Sequence, residues 1–335
     1  MMNKVRFGII GLGSIGSRHL KCINENDRSE LVAIFDILQK KKLNISNNTT
    51  ICHNYHDFLK CDTDVINICT PNYLHADMAI DCLNADKHIV IEKPMALSSN
   101  SAQQIIKTAK KNNKLVFCVM QNRFSPTMVW LKEVVDQDLL GKINMVSVNC
   151  FWNRNEDYYL KSNWHGSKLK DGGPLYTQFS HFIDILYWLF GEVKSVKAEF
   201  FKLTNHNYID FEDSGFLFLK FKNSIVTSLN YSTAVYNKNL ESSITILGSK
   251  GTVKIGGQYM DQLLYCDINN HLTPTFDQHV QCNDYGSYKG SAFNHDKMID
   301  NVVDVLSKKN IKIHTNSNDG LNVVKIIEKI YSFRK

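Results

Sequence analysis

The sequence lacks a long apolar segment. No run in its 335 residues approaches the ~20 apolar residues that a membrane-spanning helix needs. The apolar stretch near the N-terminus is broken by glycines and polar residues, which is not the pattern of a signal peptide. We therefore predict a cytoplasmic protein with no membrane contact.

Closely spaced cysteines are also missing. The nine cysteines are scattered, with no C-x-x-C pair and no Cys/His cluster at zinc spacing. Disulfide frameworks and structural zinc sites both depend on such spacing, so we expect free thiols in a reducing compartment and no metal. The chain has no internal repeat and no low-complexity linker, and its length favours two domains.

The chain has no block of strong basic charge. Lys and Arg number 39 and Asp and Glu 33, which gives a formal net charge of +6, but the two signs are interspersed. A concentrated basic patch is the feature that indicates nucleic-acid binding. The even distribution argues against a nucleic-acid partner, while the modest positive charge suits a small anionic substrate.

A glycine-rich turn stands between the first apolar run and a segment with helical periodicity. It has the spacing G-x-G-x-x-G and comprises Gly11, Gly13, Ser14, Ile15 and Gly16. In a dinucleotide-binding unit the first glycine permits a tight turn, the second lets the backbone approach the pyrophosphate, and the third lets helix and strand pack closely. The helix N-terminus then faces the phosphate charge. The alternative is a glycine-rich turn with no ligand.

An acidic residue follows the second predicted strand. Asp36 ends the run "ELVAIFD" and lies 20 residues beyond Gly16, where a carboxylate binds both ribose hydroxyls of NAD. The same charge repels a 2′-phosphate, so NAD is favoured over NADP, although the lysines 40–42 leave NADP open.

Polar residues follow several further strands of the first half. Strand-like and helix-like segments alternate as far as residue 122, which predicts a parallel, doubly wound sheet. Such sheets bind ligands beyond the carboxyl ends of their strands. The candidates at these ends are Thr70, Pro71, Asn72, His75, Glu92, Lys93, Gln121 and Arg123. His75 is alternatively a helix-start histidine with no role, and Arg123 either binds a carboxylate or phosphate or forms an ion pair at the domain junction.

Lys93 has an unusual position, between an apolar strand and Pro94. A following proline disfavours the helical region, so the backbone of Lys93 is restricted to extended geometry. One interpretation is a solvated lysine at a strand end. The other is a lysine that points into a cleft, and its place on the ligand-facing edge of the sheet favours this second interpretation.

The second half has a different pattern. Strand-like segments joined by short turns predict an α+β domain with a large open, mainly antiparallel sheet. Two helices are predicted near the end, over 293–308 and 320–333, the second capped by Asp319. We place the domains at 1–122, for dinucleotide binding, and 123–335, for substrate binding and oligomerisation.

One helical segment, "GGPLYTQFSHFIDILYWLFG", interrupts these strands. Helical geometry places its aromatic and aliphatic residues on one face and Thr177, His181, Asp184 and Trp188 on the opposite face. His181 is a candidate general base, because imidazole titrates near neutral pH, or else a surface or interface histidine. Asp184 either orients that ring or solvates the polar face. Outside this segment, Trp164 has two interpretations: it is a ring that stacks on a sugar face, or it is a core tryptophan.

Taken together, these segments resemble the Gfo/Idh/MocA family of oxidoreductases. The segments "GIIGLGSIGSRHL", "CTPNYLH", "IEKPMALS", "NRF" and "GGPLYTQFSHFID" occur in the family's order and span nearly the whole chain. The resemblance implies an N-terminal Rossmann domain, NAD as cofactor, and Lys93 and His181 as the active-site lysine and histidine. Most members have an aspartate four residues before the histidine, where this chain has Thr177, followed by Gln178; we expect these two to bind the sugar.

The segment 164–191 resembles one subgroup in particular. Its members oxidise the 3-hydroxyl of UDP-N-acetylglucosaminuronic acid in the synthesis of surface-polysaccharide sugars. This likeness implies a nucleotide-sugar substrate, a tightly held NAD recycled by 2-oxoglutarate, and a homo-oligomer, dimer or tetramer, packed through the sheet. The alternatives are an inositol or simple sugar dehydrogenase, a 3-ketoreductase, and a non-catalytic NAD-binding regulator.

Overall fold

A computed structural model describes residues 4–38, 45–204, 207–276, 282–284, 289–307 and 311–334. The chain divides into two compact units. The first comprises residues 1–120 and 294–324, and the second comprises residues 121–293 and 325–335. The lysines 40–42, which left NADP open, lie outside the described residues.

The strands, in chain order, are β1 (Val5–Ile10), β2 (Ser29–Phe35), β3 (Thr50–Cys52), β4 (Val65–Ile68), β5 (His88–Ile91), β6 (Val116–Cys118), β7 (Ile143–Phe151), β8 (Val193–Phe201), β9 (Ser214–Phe221), β10 (Val226–Ser232), β11 (Glu241–Gly248), β12 (Gly251–Gly256), β13 (Gln262–Ile268), β14 (Cys282–Asp284) and β15 (Lys289–Ala292). The helices are α1 (Ser14–Glu25), α2 (Tyr55–Leu59), α3 (His75–Asn84), α4 (Ser99–Lys111), α5 (Pro126–Asp136), α6 (Glu156–Leu160), α7 (Pro174–Thr177), α8 (Ser180–Phe190), α9 (His295–Ser307) and α10 (Ser317–Tyr331). Short 3-10 turns cover Asn72–Leu74 and Gln121–Phe124.

The first unit is built on a six-stranded parallel sheet in the order β3-β2-β1-β4-β5-β6. Strands β1 and β4 are apolar and almost fully buried, as expected for a sheet covered by helices on both faces. The strand order reverses between β1 and β4, and in such sheets ligands bind beyond the carboxyl ends at that point. The predicted doubly wound fold is confirmed.

The first unit also contains a segment from near the end of the chain. Helix α9 buries Met298, Ile299 and Val302, and Arg28 donates to Asp304 of this helix at 2.5 Å. Beyond α9, the Thr315 hydroxyl donates to the Cys118 carbonyl oxygen at 2.6 Å. The prediction that all of 123–335 belongs to the second domain therefore differs from the observed division. The contacts that return this segment join positions far apart in sequence, which local patterns do not reveal.

The second unit contains a seven-stranded sheet in the order β13-β12-β11-β7-β10-β9-β8. All its pairings are antiparallel except that of β7 with β10. The edge strands β13 and β8 do not pair with each other, so the predicted open, mainly antiparallel sheet is confirmed. Strand β13 and the paired strands β14 and β15 were not predicted from the sequence. Strand β13 is an edge strand with one fully buried residue, so it lacks clean alternation.

Aromatic side chains cover one face of this second sheet, whereas among the described residues the opposite face keeps apolar side chains exposed. Phe179 and Phe182 pack on Trp152 with ring centroids 5.4 and 5.8 Å apart. On the opposite face of β9, Phe216 and Phe218 are 59% and 52% exposed. A sheet with an uncovered apolar face is unusual in a monomer.

The predicted single helix over the segment 172–191 is two helices. Helix α7 ends at Thr177 and α8 begins at Ser180, so Thr177 and His181 do not share a helix. The face opposite the apolar stripe is also not solvent-facing, because His181 and Asp184 are both buried. A helix this apolar packs on all sides.

The last helix starts earlier than predicted. The Asn316 side chain accepts hydrogen bonds from the backbone N–H groups of Asn318 and Asp319, and Asp319 accepts from the N–H of Asn316. Asn316 is therefore the cap, and Asp319 completes a reciprocal pair from within the first turn.

Among the described residues, no helix has the length and apolar character needed to cross a bilayer. The eight cysteines whose side chains are described carry free thiols, as predicted.

Candidate active site

The glycine turn has the geometry that the motif predicts. Gly11 adopts φ +87°, and a Cβ there would lie 2.7 Å from the Cys69 carbonyl oxygen. A Cβ on Gly16 would overlap the Gly11 carbonyl oxygen, so helix α1 packs against the turn only because residue 16 has no side chain. A Cβ on Gly13 would meet nothing within 4 Å. The turn thus leaves open space where a pyrophosphate approaches the backbone.

Helix α1 begins directly at this open space. Gly13 precedes it in extended geometry, Ser14 is its exposed first residue and Ile15 its second. No acidic residue lies in the first turn. The free N–H groups of that turn are therefore not neutralised by a side-chain carboxylate, which suits an anionic ligand.

Asp36 is fixed beside the glycine turn. Its Oδ2 accepts a hydrogen bond from the N–H of Leu12 at 2.5 Å, and its Oδ1 accepts from the N–H of Leu38 at 2.6 Å. The acid predicted to bind the ribose is therefore held at the end of β2, in contact with the motif. These residues fit the dinucleotide cofactor that the spacing predicts.

His75 connects two of the predicted ligand-binding loops. Its Nδ1 lies 2.7 Å from the Pro94 carbonyl oxygen, and its Nε2 lies 2.8 Å from that of Thr70. The ring is 1% exposed, and burial lowers its pKa, so it is neutral near pH 7 and donates to one carbonyl at a time. Its nitrogens contact the protein itself, which the sequence did not predict.

The residues around His75 are largely buried. Pro71 and Asn72 follow β4 in the turn that leads into α3, and Asn72 is 5% exposed. Among the described residues, the buried Thr70 hydroxyl has no hydrogen-bond partner. An unpaired buried hydroxyl is costly and is a group that a ligand can satisfy.

Lys93 is half-buried and lies between two buried residues, Glu92 and Pro94. Its N–H donates to Glu92 Oε2 at 3.2 Å. The Glu92 side chain also accepts from His19 Nε2 at 2.9 Å. The loop that carries Lys93 is therefore held by buried hydrogen bonds.

In the second unit, Arg123 forms a buried ion pair with Asp184. Its Nε and Nη2 donate to both carboxylate oxygens at 2.5 to 3.1 Å, and the two side chains are 5% and 1% exposed. This agrees with the ion-pair interpretation of Arg123. Asp184 thereby holds the turn that carries the buried Gln121, a role that neither sequence-based interpretation of Asp184 foresaw.

His181 lies on α8 and is 2% exposed.

On the preceding helix, the Thr177 hydroxyl donates to the buried Asp171 carboxylate, which also accepts from the N–H of Gly166 at 2.9 Å. Gln178 donates to the Tyr158 hydroxyl at 2.8 Å. The sequence analysis missed Asp171, although an acid directly before Gly172–Gly173 was a visible signal.

Trp164 is half-buried and is not a core residue. Its ring lies 3.9 Å from that of His165, measured between centroids, and His165 stacks on Tyr158 at 4.4 Å. Trp164 thus lies tilted against the His165–Tyr158 stack and is only partly covered.

The fold and the glycine turn together define a protein with a dinucleotide-binding Rossmann domain, and family models give its class as an oxidoreductase. Sequence profiles agree: residues 5–120 match the family described as oxidoreductase, NAD-binding Rossmann fold, and residues 132–333 match the oxidoreductase C-terminal alpha/beta domain. The chain belongs to the Gfo/Idh/MocA family, and the family resemblance and the NAD cofactor are confirmed.

Several known proteins are similar over much of the chain. The WlbA dehydrogenase from Bordetella pertussis, crystallised with NADH and UDP-GlcNAcA, is 31% identical, with a TM-score of 0.86 over 98% of this chain and 96% of that one. Inositol 2-dehydrogenase from Salmonella typhimurium is 31% identical over 204 residues, 58% of each chain. Myo-inositol 2-dehydrogenase from Thermotoga maritima is 26% identical over 262 residues, 74% of each.

Proposed function

We propose that this protein is an NAD-dependent dehydrogenase that oxidises the 3-hydroxyl of UDP-N-acetylglucosaminuronic acid, in the synthesis of sugars for surface polysaccharides. The observation that carries the proposal is the similarity to the WlbA dehydrogenase over almost the full length of both chains. The candidate residues of both units supply groups that this chemistry needs.

The cofactor is held mainly by the first unit in this proposal. The turn from Gly11 to Gly16 and the start of α1 bind the pyrophosphate, and Asp36 binds the adenosine ribose. Thr70, Pro71, Asn72, Glu92 and Gln121 shape the nicotinamide end. His75 fixes the two loops that carry the first four of these residues. NAD, when bound, accepts the hydride that leaves the sugar carbon.

The remaining steps concern the hydroxyl proton and the charge on oxygen. As the hydride leaves, negative charge develops on the sugar oxygen, and a cation within hydrogen-bond reach stabilises that charge more than the ground state. We assign this role to the Lys93 ammonium. His181 is the general base that takes the hydroxyl proton.

Substrate binding is assigned to residues of the second unit, in addition to Lys93. Thr177 and Gln178 offer polar groups in a buried setting, and Trp164 offers a partly accessible ring for stacking on a sugar face. Arg123 contributes through its ion pair with Asp184, which fixes the turn that bears Gln121. We further propose that 2-oxoglutarate recycles the cofactor in place.

The second candidate function is an inositol dehydrogenase. The 31% identity to the Salmonella enzyme supports it, although the alignment covers 58% of each chain. A regulator that binds NAD without catalysis is the remaining alternative. The presence of both Lys93 and His181 argues against a regulator, because a sensor needs no acid–base pair.

The test combines two measurements on freshly purified protein. Native mass spectrometry identifies any retained cofactor and nucleotide sugar, and NADH fluorescence then compares UDP-N-acetylglucosaminuronic acid, other UDP-sugars and myo-inositol as substrates. We expect retained NAD and turnover of the uronic acid alone. Turnover of myo-inositol instead would transfer the assignment to the second candidate, and tight NAD binding with no turnover would favour the regulator.

A further inference from the structure

A buried cluster of three ionisable side chains lies directly beside Lys93 in sequence and in the fold. Glu92 Oε1 is 2.9 Å from His19 Nε2 and 3.5 Å from His295 Nε2. The three residues are 5%, 1% and 1% exposed. They come from the end of β5, from α1 behind the glycine turn, and from the first residue of α9. The cluster therefore joins the cofactor helix, the Lys93 loop and the returning C-terminal segment of the first unit.

The hydrogen bonds around His19 fix where its proton lies. Asn67, a fully buried residue of β4, donates from Nδ2 to His19 Nδ1 at 2.7 Å. An ionised carboxylate can only accept a hydrogen bond, so the proton between the two groups belongs to His19 Nε2 and is donated to Glu92. The opposite edge of the carboxylate accepts the N–H of Lys93 at 3.2 Å.

Glu92 is consequently a permanent buried anion. Although burial alone raises the pKa of a carboxyl group, the hydrogen bond from His19 and the nearby imidazole of His295 hold the pKa of Glu92 well below its usual range. Burial lowers the pKa of His295, so this ring stays neutral near pH 7 and does not cancel the charge. The Glu92 carboxylate therefore places a negative charge beside the backbone N–H of Lys93.

The alternative to a hydrogen-bonded cluster is a metal site. The ligand atoms of His19, Glu92 and His295 all lie within 4.8 Å of one another. A metal needs a bare nitrogen on each histidine, whereas His19 Nε2 lies at hydrogen-bond distance, 2.9 Å, from Glu92 Oε1. The hydrogen-bonded arrangement thus favours a proton-holding cluster over a metal site.

We propose that Glu92 is a positioning residue that holds the Lys93 backbone and keeps its ammonium charged, and that His19 and His295 hold Glu92 for this purpose. The inference rests on the proposed function, in which Lys93 stabilises the developing alkoxide. A second anchor lies beyond Lys93, where His75 contacts the Pro94 carbonyl oxygen at 2.7 Å. The loop is therefore fixed on both sides of the lysine.

The charges of this region act on one another. Burial is the largest cause of the lowered pKa of His75, with Glu92 raising that pKa and Lys93 lowering it further. The titratable groups that face Glu92 from the surrounding elements are His19 on α1, His295 on α9, Cys69 after β4 and His75 on α3, with Arg18 acting on His295. None of these described groups supplies a second negative charge. Removing the charge of Glu92 should therefore change the pKa of Lys93 in one direction only, downward.

The test measures the pKa of Lys93 directly, without any substrate. Lysines are dimethylated with 13C-formaldehyde, the Lys93 signal is identified by its loss in Lys93→Arg, and it is titrated by NMR. Because an anion stabilises the charged form, Glu92→Gln should lower the pKa of Lys93 by about one unit, a tenfold loss of proton affinity. His88→Gln, at the other end of β5, is the matched control and should leave this pKa unchanged. An unchanged pKa in Glu92→Gln would overturn the inference.

Glu92→Asp tests the positioning role separately. It keeps the charge but shortens the side chain by one methylene, so the pKa of Lys93 should stay near that of the parent while kcat falls at least ~10-fold and the Kd for NADH changes little. An unchanged kcat would contradict the proposal, and this variant serves even if Glu92→Gln does not fold.

Two further outcomes distinguish this inference from the proposed function and from a metal site. If the parent protein oxidises only myo-inositol, kcat is measured on that substrate. If it oxidises neither substrate, the proposed function fails, and the titration of Lys93 still tests the effect of Glu92. Equimolar metal in the purified protein, lost on His295→Ala, would overturn the inference by making Glu92 a metal ligand.

Discussion

Lys93 is the residue on which the proposed chemistry depends most. It is half-buried, follows a strand whose last three residues are buried, and donates its N–H to Glu92. Its strand-end position and the following proline were visible in the sequence, and they predicted an unusual lysine. The side chains that hold its loop were not visible in the sequence, because His19 and His295 reach Glu92 through tertiary packing of helices that are distant in sequence.

Removing the Lys93 ammonium should separate binding from catalysis. We expect Lys93→Ala to lower kcat by on the order of 100-fold or more, a magnitude typical of acid–base groups, and to leave the Kd for NADH nearly unchanged. Steady-state kinetics and NADH fluorescence titration measure the two quantities. Lys107→Ala, on the exposed face of α4, is the control, and full activity in Lys93→Ala would remove this residue from the mechanism.

The Thr177 hydroxyl has a structural role as well as its proposed substrate role. Thr177→Val removes one donor from the buried Asp171 carboxylate and should lower the free energy of unfolding by about 1–3 kcal/mol. Thr177→Ser keeps the hydroxyl and should retain most of the stability. Urea unfolding followed by fluorescence compares the three proteins, and equal stability of the Val and parent proteins would show that the bond contributes nothing.

At the scale of secondary-structure elements, the glycine turn and helix α1 form the most predictable part of the site. The strand, the three glycines and Asp36 all stand where their spacing indicated, because each is set by local backbone geometry. Edge strand β13 and the split between α7 and α8 were not predicted. Both depend on how neighbouring elements cover them, and neither has a strong local pattern.

Two glycines of this turn should respond differently to alanine. Gly13→Ala meets open space, so it should fold normally yet raise the Kd for NADH roughly 10-fold or more, since its methyl group occupies the pyrophosphate approach. Gly16→Ala overlaps the Gly11 carbonyl oxygen and should lower stability by about 1–3 kcal/mol even without cofactor.

Thermal unfolding without ligand, followed by NADH titration, distinguishes the two variants. A destabilised Gly13→Ala protein, or one with unchanged affinity for NADH, would contradict the assignment of this open space to the pyrophosphate.

At the scale of the whole molecule, the uncovered face of the second sheet indicates a partner. Strand registers place Met145, Phe216, Phe218, Leu247 and Tyr265 on this face, and each is at least 36% exposed. An apolar area of this kind marks an interaction surface. We propose that a second copy of the chain covers it, in a dimer or tetramer.

A charge on this face should disrupt the assembly. Phe216→Lys combined with Phe218→Lys should give monomers, because burying two ammonium groups in an apolar interface is strongly unfavourable. Multi-angle light scattering after size-exclusion chromatography measures the mass. Tyr236→Lys, at a residue 93% exposed, is the control and should behave as the parent, and an oligomer that survives the double substitution would place the interface elsewhere.

The division of the chain has a consequence for synthesis on the ribosome. The first unit needs residues 294–324 to complete its packing, yet these leave the ribosome only after the whole strand-rich middle of the chain. At 5–20 residues per second, translation of that middle takes roughly 10–40 s. Throughout this interval the nascent nucleotide-binding half lacks the layer that α9 later provides, so the apolar surface that this helix covers is open to chaperones.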